Sequence, residues 1–373
     1  MSAGSRAPYD LLDRADATAC ADAVREGAVS ASELVDAAID RVTERNPALN
    51  AVVGTRFDEA RAEAATVDPD SQPFAGVPFV IKDLGAAITG LPHTRGSRLW
   101  ADDVATEDTE LVARYRRLGF VVLGTTNAPE LGKNASTEPV LHGPCHNPHD
   151  LDRSPGGSSG GTAAAVAAGM VPIGHGNDGG GSIRIPASAC GLVGLKPSRA
   201  RVTAAPEKSL LSYPMGCNHV LTRSVRDTAR VLDLTAGPMP GDPFVIPPPT
   251  RPWVDELGGD PGPLTIGIST VDRAGDPVDP ACAAAVEAAG RTLEALGHRV
   301  VPGQPAFSEE TMTEIIVTLM GVPLAIEVNK RLAELGRPLA EDDLEPFSHV
   351  MYGMAADIDG ERVLVAMQLV EEI

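Results

Sequence analysis

Two glycine- and serine-rich blocks constrain the fold of this chain more than any other feature: GGSSGG at 156–161 and GNDGGGS at 176–182. Such stretches commonly form flexible linkers, and Ser158 and Ser159 taken alone fit that role. An alanine-rich run, TAAAVAAG, follows the first block and predicts a helix. The alternative to a linker is a tight turn that leads into this helix, because glycine permits backbone paths that other residues do not.

Apolar runs alternate with helical patterns along the chain. GVPFVIKDL at 76–84 and FVVLGTT at 120–126 are predicted strands, and TELVARYRRLG between them is a predicted helix. Ser30 and Glu33 form a capping-box pattern at the start of an earlier helix. This alternation predicts α/β layers. Further predictions are strands at VPIGH, LTIGIS and RVV, a buried run at CGLVGLKPS and a helix at DPACAAAVEAAGRTLEALGH. The proline-rich segment 236–264 is a predicted surface connection, and 308–373 is predicted to be mainly helical.

Composition excludes several classes of partner. The chain has 51 acidic and 31 basic residues and a net charge of −20, which disfavours nucleic acid and anionic membranes because both attract basic patches. The five cysteines are odd in number and form no CxxC, so neither a disulfide framework nor a zinc ribbon is predicted, and a cytoplasmic location is expected. The first residues show no signal-peptide pattern, and no run of about 18 apolar residues predicts a membrane span.

Three short motifs match other kinds of site, and each lacks the context that it requires. The GxSxG pattern at 156–160 matches a nucleophile elbow, but the preceding CHNPHDLDRSP cannot form the buried strand that an elbow needs. The GxGxxG pattern at 174–179 matches a dinucleotide loop, but Pro186 interrupts the helix that should follow, and no acidic residue stands about 20 residues further on. The CHNPH segment at 145–149 contains a proline and predicts a solvated loop rather than a metal site.

The glycine blocks, together with GVPFVIKDL, TTNAPELG at 125–132 and the following STEP, resemble the amidase signature family. The resemblance is strongest over 76–203, and the 24 residues that separate Ser158 from Ser182 match the spacing in the family. It implies an α/β fold, with a central mixed β-sheet covered by helices on both faces, in one domain over 1–373. Family members are longer, so the C-terminal part of their domain is expected to be absent here. Either the sequence is incomplete, or the pocket is open on one side.

The resemblance implies a triad with Ser182 as nucleophile, Ser158 as the middle residue on a cis peptide bond, and Lys82 as base. A serine hydroxyl becomes an effective nucleophile only when a neighbouring base takes its proton. Lys82 must be neutral to act as that base, and burial lowers the pKa of a lysine from its usual value of about 10.4. Ser158 can accept one proton and donate another. Taken alone, Lys82 would be a charge at a strand exit, and Ser182 a helix N-cap.

The glycine run before the nucleophile is the predicted oxyanion hole, because backbone N–H groups without side chains can approach a developing oxyanion. The predicted donors are Gly179, Gly180 and Gly181. Many relatives carry a bulkier residue at the position of Gly179, which predicts a more flexible loop in this chain. Ser159 is a supporting residue, and Asp178 and Arg184 are predicted to form an ion pair that supports the loop.

Several stretches, among them GSIRIPAS and ELGRPLAEDDLE, resemble the branch of the family that hydrolyses the 6-aminohexanoate cyclic dimer. This resemblance implies that Lys133, Asn134 and the helix containing Met320 line the substrate pocket. The implied function is hydrolysis of a small linear or cyclic amide through an acyl-enzyme, with no metal and no cofactor. The alternative is the glutaminase subunit of a tRNA-dependent amidotransferase. The expected partner is the small amide substrate, and a homodimer is a candidate assembly.

Overall fold

A computed structural model of the protein describes residues 7–206, 208–211, 213–304 and 308–372. The first six residues, which the signal-peptide prediction includes, lie outside the described residues. The helices are α1 (Ala7–Arg14), α2 (Ala17–Arg25), α3 (Ala31–Leu49), α4 (Phe57–Ala64), α5 (Glu110–Arg117), α6 (Gly160–Ala167), α7 (Arg184–Cys190), α8 (Val225–Thr235), α9 (Pro280–Ala295), α10 (Glu309–Leu335), α11 (Pro346–Ala355) and α12 (Gly360–Glu372). The strands are β1 (Val52–Thr55), β2 (Pro78–Lys82), β3 (Val121–Thr126), β4 (Ile173–Asp178), β5 (Val193–Gly194), β6 (Cys217–Thr222), β7 (Thr265–Ile268) and β8 (Arg299–Pro302).

Six strands form the central sheet in the order β1-β3-β2-β4-β6-β5. Strand β2 runs parallel to both of its neighbours, β3 and β4, whereas β1, β6 and β5 pair antiparallel with theirs. The sheet is therefore mixed, as predicted, and helices α3, α4, α6 and α8 pack on it. Because β2 and β4 are parallel neighbours, their last residues lie at the same edge of the sheet.

Strands β2 and β3 lie at the centre of the sheet, and every residue in them is buried. Their nearly continuous apolar sequences are typical of parallel strands that are covered on both faces. An aromatic cluster packs beside them. The ring of Phe79 lies 4.7 Å from those of Phe120 and Tyr115, and Phe74 stacks on Phe120 at 4.5 Å. Burial of each such side chain contributes about 1.5–3 kcal/mol. This core holds the end of β2, and therefore Lys82, in a fixed position.

Helix α3 begins at the predicted capping box. The Ser30 hydroxyl accepts a hydrogen bond from the Glu33 N–H at 3.2 Å, and the Glu33 carboxylate accepts one from the Ser30 N–H at 2.8 Å. Pro47 lies inside the last turn, and the helix ends two residues later at Leu49.

Three parts of the sheet differ from the prediction, and the first is β1, Val52–Thr55, for which no strand was predicted. Of the run CGLVGLKPS, only Val193–Gly194 forms a strand, and it is half-buried at the sheet edge beside an exposed Leu195. Strand β6 was not predicted, because its polar Asn218 and His219 mask the apolar pattern, although both are buried. The other predicted strands and helices are present, and the proline-rich connection contains only a short 3₁₀ turn, Trp253–Glu256.

The chain divides into two compact units, Met1–Val254 with Pro323–Tyr352, and Asp255–Val322 with Gly353–Ile373. The first unit contains the six-stranded sheet. In the second unit, β7 and β8 pair in parallel and α9 packs on both. The single domain over 1–373 stays a prediction.

One helix among the described residues, α10, is long and apolar enough by length and composition to cross a membrane, with a mean hydropathy of 1.6 in its most apolar window. About a third of that window is buried. A core helix passes the same test, so one such helix is weak support for a membrane span.

Candidate active site

Lys82 is the last residue of β2, and its side chain is completely buried. Its Nζ lies 2.7 Å from Ser158 Oγ and 2.6 Å from Asn177 Oδ1. The fold explains both contacts, because Ser158 precedes α6, which packs on β2, and Asn177 lies on the neighbouring strand β4. Two of the three predicted triad residues are therefore in hydrogen-bond contact.

The environment of Lys82 disfavours its charge. Burial lowers its pKa well below the usual lysine value, because the ammonium loses its hydration. The carboxylate of Asp178 opposes this shift, and the positive charge of Lys208 reinforces it. The two hydrogen-bond partners of Lys82, Ser158 and Asn177, are neutral. These conditions favour the neutral amine, which is the form that a general base needs.

Ser158 follows a cis peptide bond, Gly157–Ser158, and is almost completely buried. A Cβ on Gly157 would lie 2.8 Å from Asn134 O and 2.6 Å from Ser136 O, so no side chain fits there. A Cβ on Gly132 would lie 3.2 Å from Ser158 Oγ. The segment that follows β3 therefore packs directly on the peptide bond that carries the middle serine.

Ser182 lies half-buried in the loop between β4 and α7. The Ser159 N–H donates a hydrogen bond to Ser182 O at 3.2 Å, and the Ser159 hydroxyl donates one to the carbonyl oxygen of Asn177 at 3.3 Å. Within the described ranges, Ser182 Oγ has no hydrogen-bond partner. The two glycine-rich blocks thus form one site and not a linker. The contact between the hydroxyls of Ser158 and Ser182 stays a prediction.

Asp178 organises the loop that carries Ser182. Its buried carboxylate accepts hydrogen bonds from the N–H groups of Gly181 at 2.7 Å and Ile183 at 3.2 Å, and it pairs with the Arg184 guanidinium at 2.9 Å. Burial alone would raise the pKa of Asp178, but these hydrogen bonds and the charge of Arg184 outweigh it and lower the pKa. The predicted ion pair is present, and its carboxylate also fixes the backbone of the loop.

The backbone N–H groups of this loop differ in whether they already donate a hydrogen bond. The Gly181 N–H already donates to Asp178. The N–H groups of Gly179, Gly180 and Ser182 have no hydrogen-bond partner among the residues that the structure describes. The geometry therefore favours these three amides over that of Gly181 as candidate oxyanion donors.

The space beside Gly179 is occupied by a tyrosine. A Cβ on Gly179 would lie 2.7 Å from Tyr213 Oη, so this ring fills the place that a side chain would take. The Tyr213 ring therefore packs against the loop where other residues would place a side chain. The greater flexibility of this loop stays a prediction. The Nζ atoms of Lys133 and Lys208 lie 5.5 and 4.9 Å from the centre of the Tyr213 ring, within cation–π range.

Tyr213 is also one of the residues that line a cavity of about 630 Å³. Its size is within the range of about 300–1,000 Å³ that is common for small-molecule sites. Its lining mixes both signs of charge, and Lys208 Nζ lies 3.1 Å from Glu327 Oε1 inside it. The triad residues do not line this cavity, which adjoins the loop of the nucleophile through Tyr213.

The three predicted pocket residues have different surroundings. Lys133 is half-buried, and burial lowers its pKa to about 7, with a further decrease from Lys208 that Glu327 opposes. Asn134 is exposed, and its backbone packs at the first glycine block. Met320 lies on α10 within the second unit, and its role in the pocket stays a prediction.

Four residues of this region were not singled out by the sequence: Asn177, Lys208, Tyr213 and Glu327. A usable signal existed for Lys208, because the chain contains only five lysines. The other three come together only through strand pairing and helix packing.

The alternative motifs lack their structural context. Gly174 and Gly176 lie inside β4 and not in a turn between a strand and a helix, as a dinucleotide loop would require. In the 145–149 segment, His149 Nε2 lies 3.0 Å from Cys190 O, and His146 Nδ1 lies 2.7 Å from Leu151 O. These rings thus contact backbone carbonyl groups of the surrounding loops.

Proteins of known family share this sequence and architecture. Residues 33–344 match the family model named Amidase. The 6-aminohexanoate-cyclic-dimer hydrolase of Paenarthrobacter ureafaciens is 42% identical over 351 residues, which cover 92% of this chain and 71% of that protein. The solved structure of a 6-aminohexanoate cyclic dimer hydrolase complexed with substrate is similar at a TM-score of 0.90 and 40% identity, covering 96% of this chain and 75% of that one. A bacterial aryl acylamidase of the amidase signature enzymes is similar at a TM-score of 0.86 and 30% identity, covering 95% and 75%.

Proposed function

Because the chain belongs to the amidase family and is an amidohydrolase, we propose that it cleaves the C–N bond of a small linear or cyclic amide through an acyl-enzyme on Ser182. One observation carries this proposal: the buried Lys82 amine lies 2.7 Å from Ser158 Oγ, with no carboxylate among its hydrogen-bond partners in the described residues. A neutral lysine in contact with a buried serine supports proton abstraction at neutral pH.

In the proposed reaction, Ser182 Oγ attacks the amide carbonyl carbon while its proton passes to Ser158 and the Ser158 proton passes to Lys82 Nζ. The carbonyl oxygen becomes an oxyanion that the free amides of Gly179, Gly180 and Ser182 itself can bind. When the tetrahedral intermediate collapses, the C–N bond breaks and the leaving amine takes the proton back from Lys82 through Ser158. Water then repeats the sequence on the ester and releases the carboxylic acid.

The substrate class is proposed from two sources. Two of the similar proteins are named as hydrolases of the 6-aminohexanoate cyclic dimer, and a third as an aryl acylamidase, so uncharged amides of moderate size are the first candidates. The cavity beside Tyr213 has room for such a molecule. We further propose that the enzyme acts in the cytoplasm, with a homodimer as the candidate assembly.

The test is a screen of the purified chain against linear and cyclic amides, scored by the amine that is released. We expect turnover of at least one small amide without any partner protein. The relatives named above give no support to the glutaminase alternative. Hydrolysis of glutamine that appears only with added amidotransferase subunits, and no hydrolysis of other amides, would refute the proposed function.

A further inference from the structure

Asn177 is the second hydrogen-bond partner of Lys82, and the proposed triad does not use it. Its Oδ1 lies 2.6 Å from Lys82 Nζ, slightly closer than Ser158 Oγ at 2.7 Å. Its Nδ2 donates to the carbonyl oxygen of Leu84 at 2.8 Å. Because the NH₂ group is bound to a carbonyl that can only accept, the amide oxygen must face the lysine.

This orientation fixes one N–H bond of Lys82. A neutral amine has two N–H groups and one lone pair. Since Asn177 Oδ1 can only accept, one N–H must point to it, and rotation about the Cε–Nζ bond is then restricted. The lone pair and the remaining N–H are left for the other direction, where Ser158 Oγ lies.

We propose that Asn177 is a positioning residue that aims the lone pair of the Lys82 amine at Ser158 and binds the ammonium that forms when the proton arrives. In this step the Ser158 O–H bond breaks, a third N–H bond forms on Lys82, and Ser158 Oγ receives the proton of the nucleophile. The hydrogen bond to Asn177 becomes charge-assisted in the same step and strengthens. The inference rests on the proposed function.

The charged and titratable groups around Lys82 determine the pH dependence that this role predicts. Asp178 and His175 approach from β4, and Lys208 from the loop before β6. Burial lowers the pKa of His175 to about 3, so this ring stays neutral. Asp178 and Lys208 act on the pKa of Lys82 with opposite signs. A carboxylate in place of the Asn177 amide would therefore be the closest charge to the amine.

Two nearly isosteric substitutions separate positioning from a structural role. Asn177→Asp and Asn177→Leu both remove the Nδ2 hydrogen bond to Leu84, so any general loosening of this region is common to both. Towards Lys82 they present opposite groups, a carboxylate in one variant and an apolar methyl group in the other. The aspartate stabilises the ammonium and raises the pKa of Lys82, whereas the leucine removes an acceptor and lowers it.

The measurement is the rate at which a fluorophosphonate labels Ser182 in the full chain, recorded from pH 5 to pH 10 after circular dichroism has verified each fold. For Asn177→Asp we expect the acidic limb to move to higher pH by about one to three units, with recovery at high pH. For Asn177→Leu we expect a move to lower pH and a plateau about 10- to 100-fold lower, the factor supported by a hydrogen bond to a charged group. The acidic limb is expected to move in opposite directions in the two variants, so one variant that folds is sufficient to test the proposal.

Asn218→Asp is the matched control, because Asn218 pairs with Asn177 across β4 and β6 but has no hydrogen bond to Lys82. We expect a smaller shift than for Asn177→Asp. Equal shifts in these two variants, or shifts of the same sign for Asn177→Asp and Asn177→Leu, would overturn the positioning role. A wild-type chain that is never labelled at Ser182 would instead refute the proposed function, which separates the two failures.

Discussion

The candidate site has an inner region around Lys82 and an outer region around Lys208. In the inner region Lys82 is completely buried, and among the described residues its hydrogen-bond partners are the neutral Ser158 and Asn177. In the outer region Lys208 contacts the Glu327 carboxylate at 3.1 Å and the face of the Tyr213 ring. The same side chain is thus surrounded by neutral oxygens in one place and by a carboxylate in the other.

This difference in surroundings gives lysine two roles in the protein: a neutral base in the inner region and a charged ammonium in the outer region. Burial with neutral partners lowers the pKa of Lys82 and favours a base. A carboxylate favours the charged ammonium. Partial burial would raise the pKa of the half-buried Glu327, but the ion pair with Lys208 helps to outweigh burial, and the pKa is lowered. Changes in the inner region should therefore act on kcat, and changes in the outer region on KM.

The largest effect is expected for the nucleophile. Ser182→Ala should lower kcat for amide hydrolysis by at least about 10³-fold, because no other group can form the acyl-enzyme. The measurement is amine release by the purified variant, with Ser159→Ala as the neighbouring serine control. In the described part of the chain, the hydrogen-bond partner of the Ser159 hydroxyl is a backbone oxygen, so the loss of this hydroxyl should cost far less. An undiminished rate in Ser182→Ala would refute the mechanism.

Removal of the base is the next largest effect. Lys82→Ala should lower kcat by about 10²- to 10⁴-fold, the usual contribution of a general base, and should remove the acidic limb of the pH profile. Lys82→Arg is the matched control, because a guanidinium can donate hydrogen bonds at this place but cannot become neutral. Both variants should be comparably inactive from pH 6 to pH 9. Activity in the arginine variant would contradict the role of a neutral amine.

Loss of the loop carboxylate should affect stability as well as rate. Asp178→Asn removes the ion pair with Arg184 and weakens the hydrogen bonds to Gly181 and Ile183, at a cost of about 1–3 kcal/mol in the free energy of unfolding. The folded protein lowers the pKa of Asp178, so its contribution is present above about pH 4 and is lost as the pH falls through the lower folded value.

Chemical denaturation of wild type and Asp178→Asn at several pH values measures this contribution. The difference in unfolding free energy should be largest near neutral pH and should shrink below pH 4. A difference that grows on acidification would show that the carboxylate does not stabilise the loop in its charged form.

A smaller effect is expected at the boundary of the two regions. Tyr213→Ala should raise KM by about tenfold and leave kcat within a few-fold, because it removes a ring that packs at Gly179 and at the cavity. Tyr213→Phe keeps the ring and isolates the hydroxyl. Steady-state kinetics on an amide found in the screen give both constants. A loss confined to kcat would place Tyr213 in the inner region.

The smallest effect should come from the outer lysine. Lys208→Gln should raise KM about two- to threefold, as expected for loss of an ion pair of modest energy. It also removes a positive charge that lowers the pKa of Lys82, so the acidic limb of the kcat/KM profile should move slightly to higher pH. A move to lower pH would contradict this electrostatic link between the two regions.

The inner region was largely predictable from sequence, because its parts lie in short motifs with fixed residue types. The run GVPFVIK gave both the buried strand and Lys82 at its end, and the glycine blocks located Ser158 and Ser182. Asn177 was missed because the paired strands β2 and β4 are far apart in sequence, and its neighbours suggested a dinucleotide loop instead.

The outer region was hardly predictable. Tyr213 fills the space at Gly179 from a segment more than thirty residues away, and Glu327 reaches Lys208 from α10. Local periodicity contains no information about such contacts. The same reason explains why β6 was missed: the polar side chains of Asn218 and His219 find buried partners that only the folded sheet provides.

The most direct test of the central claim is to identify the serine that reacts. The purified chain is treated with a fluorophosphonate, digested, and the adduct is mapped by mass spectrometry. The account predicts a single adduct on Ser182, no adduct on Ser158, and loss of labelling in Lys82→Ala. An adduct on Ser158 in the wild-type chain would reverse the roles of the two serines and contradict the account.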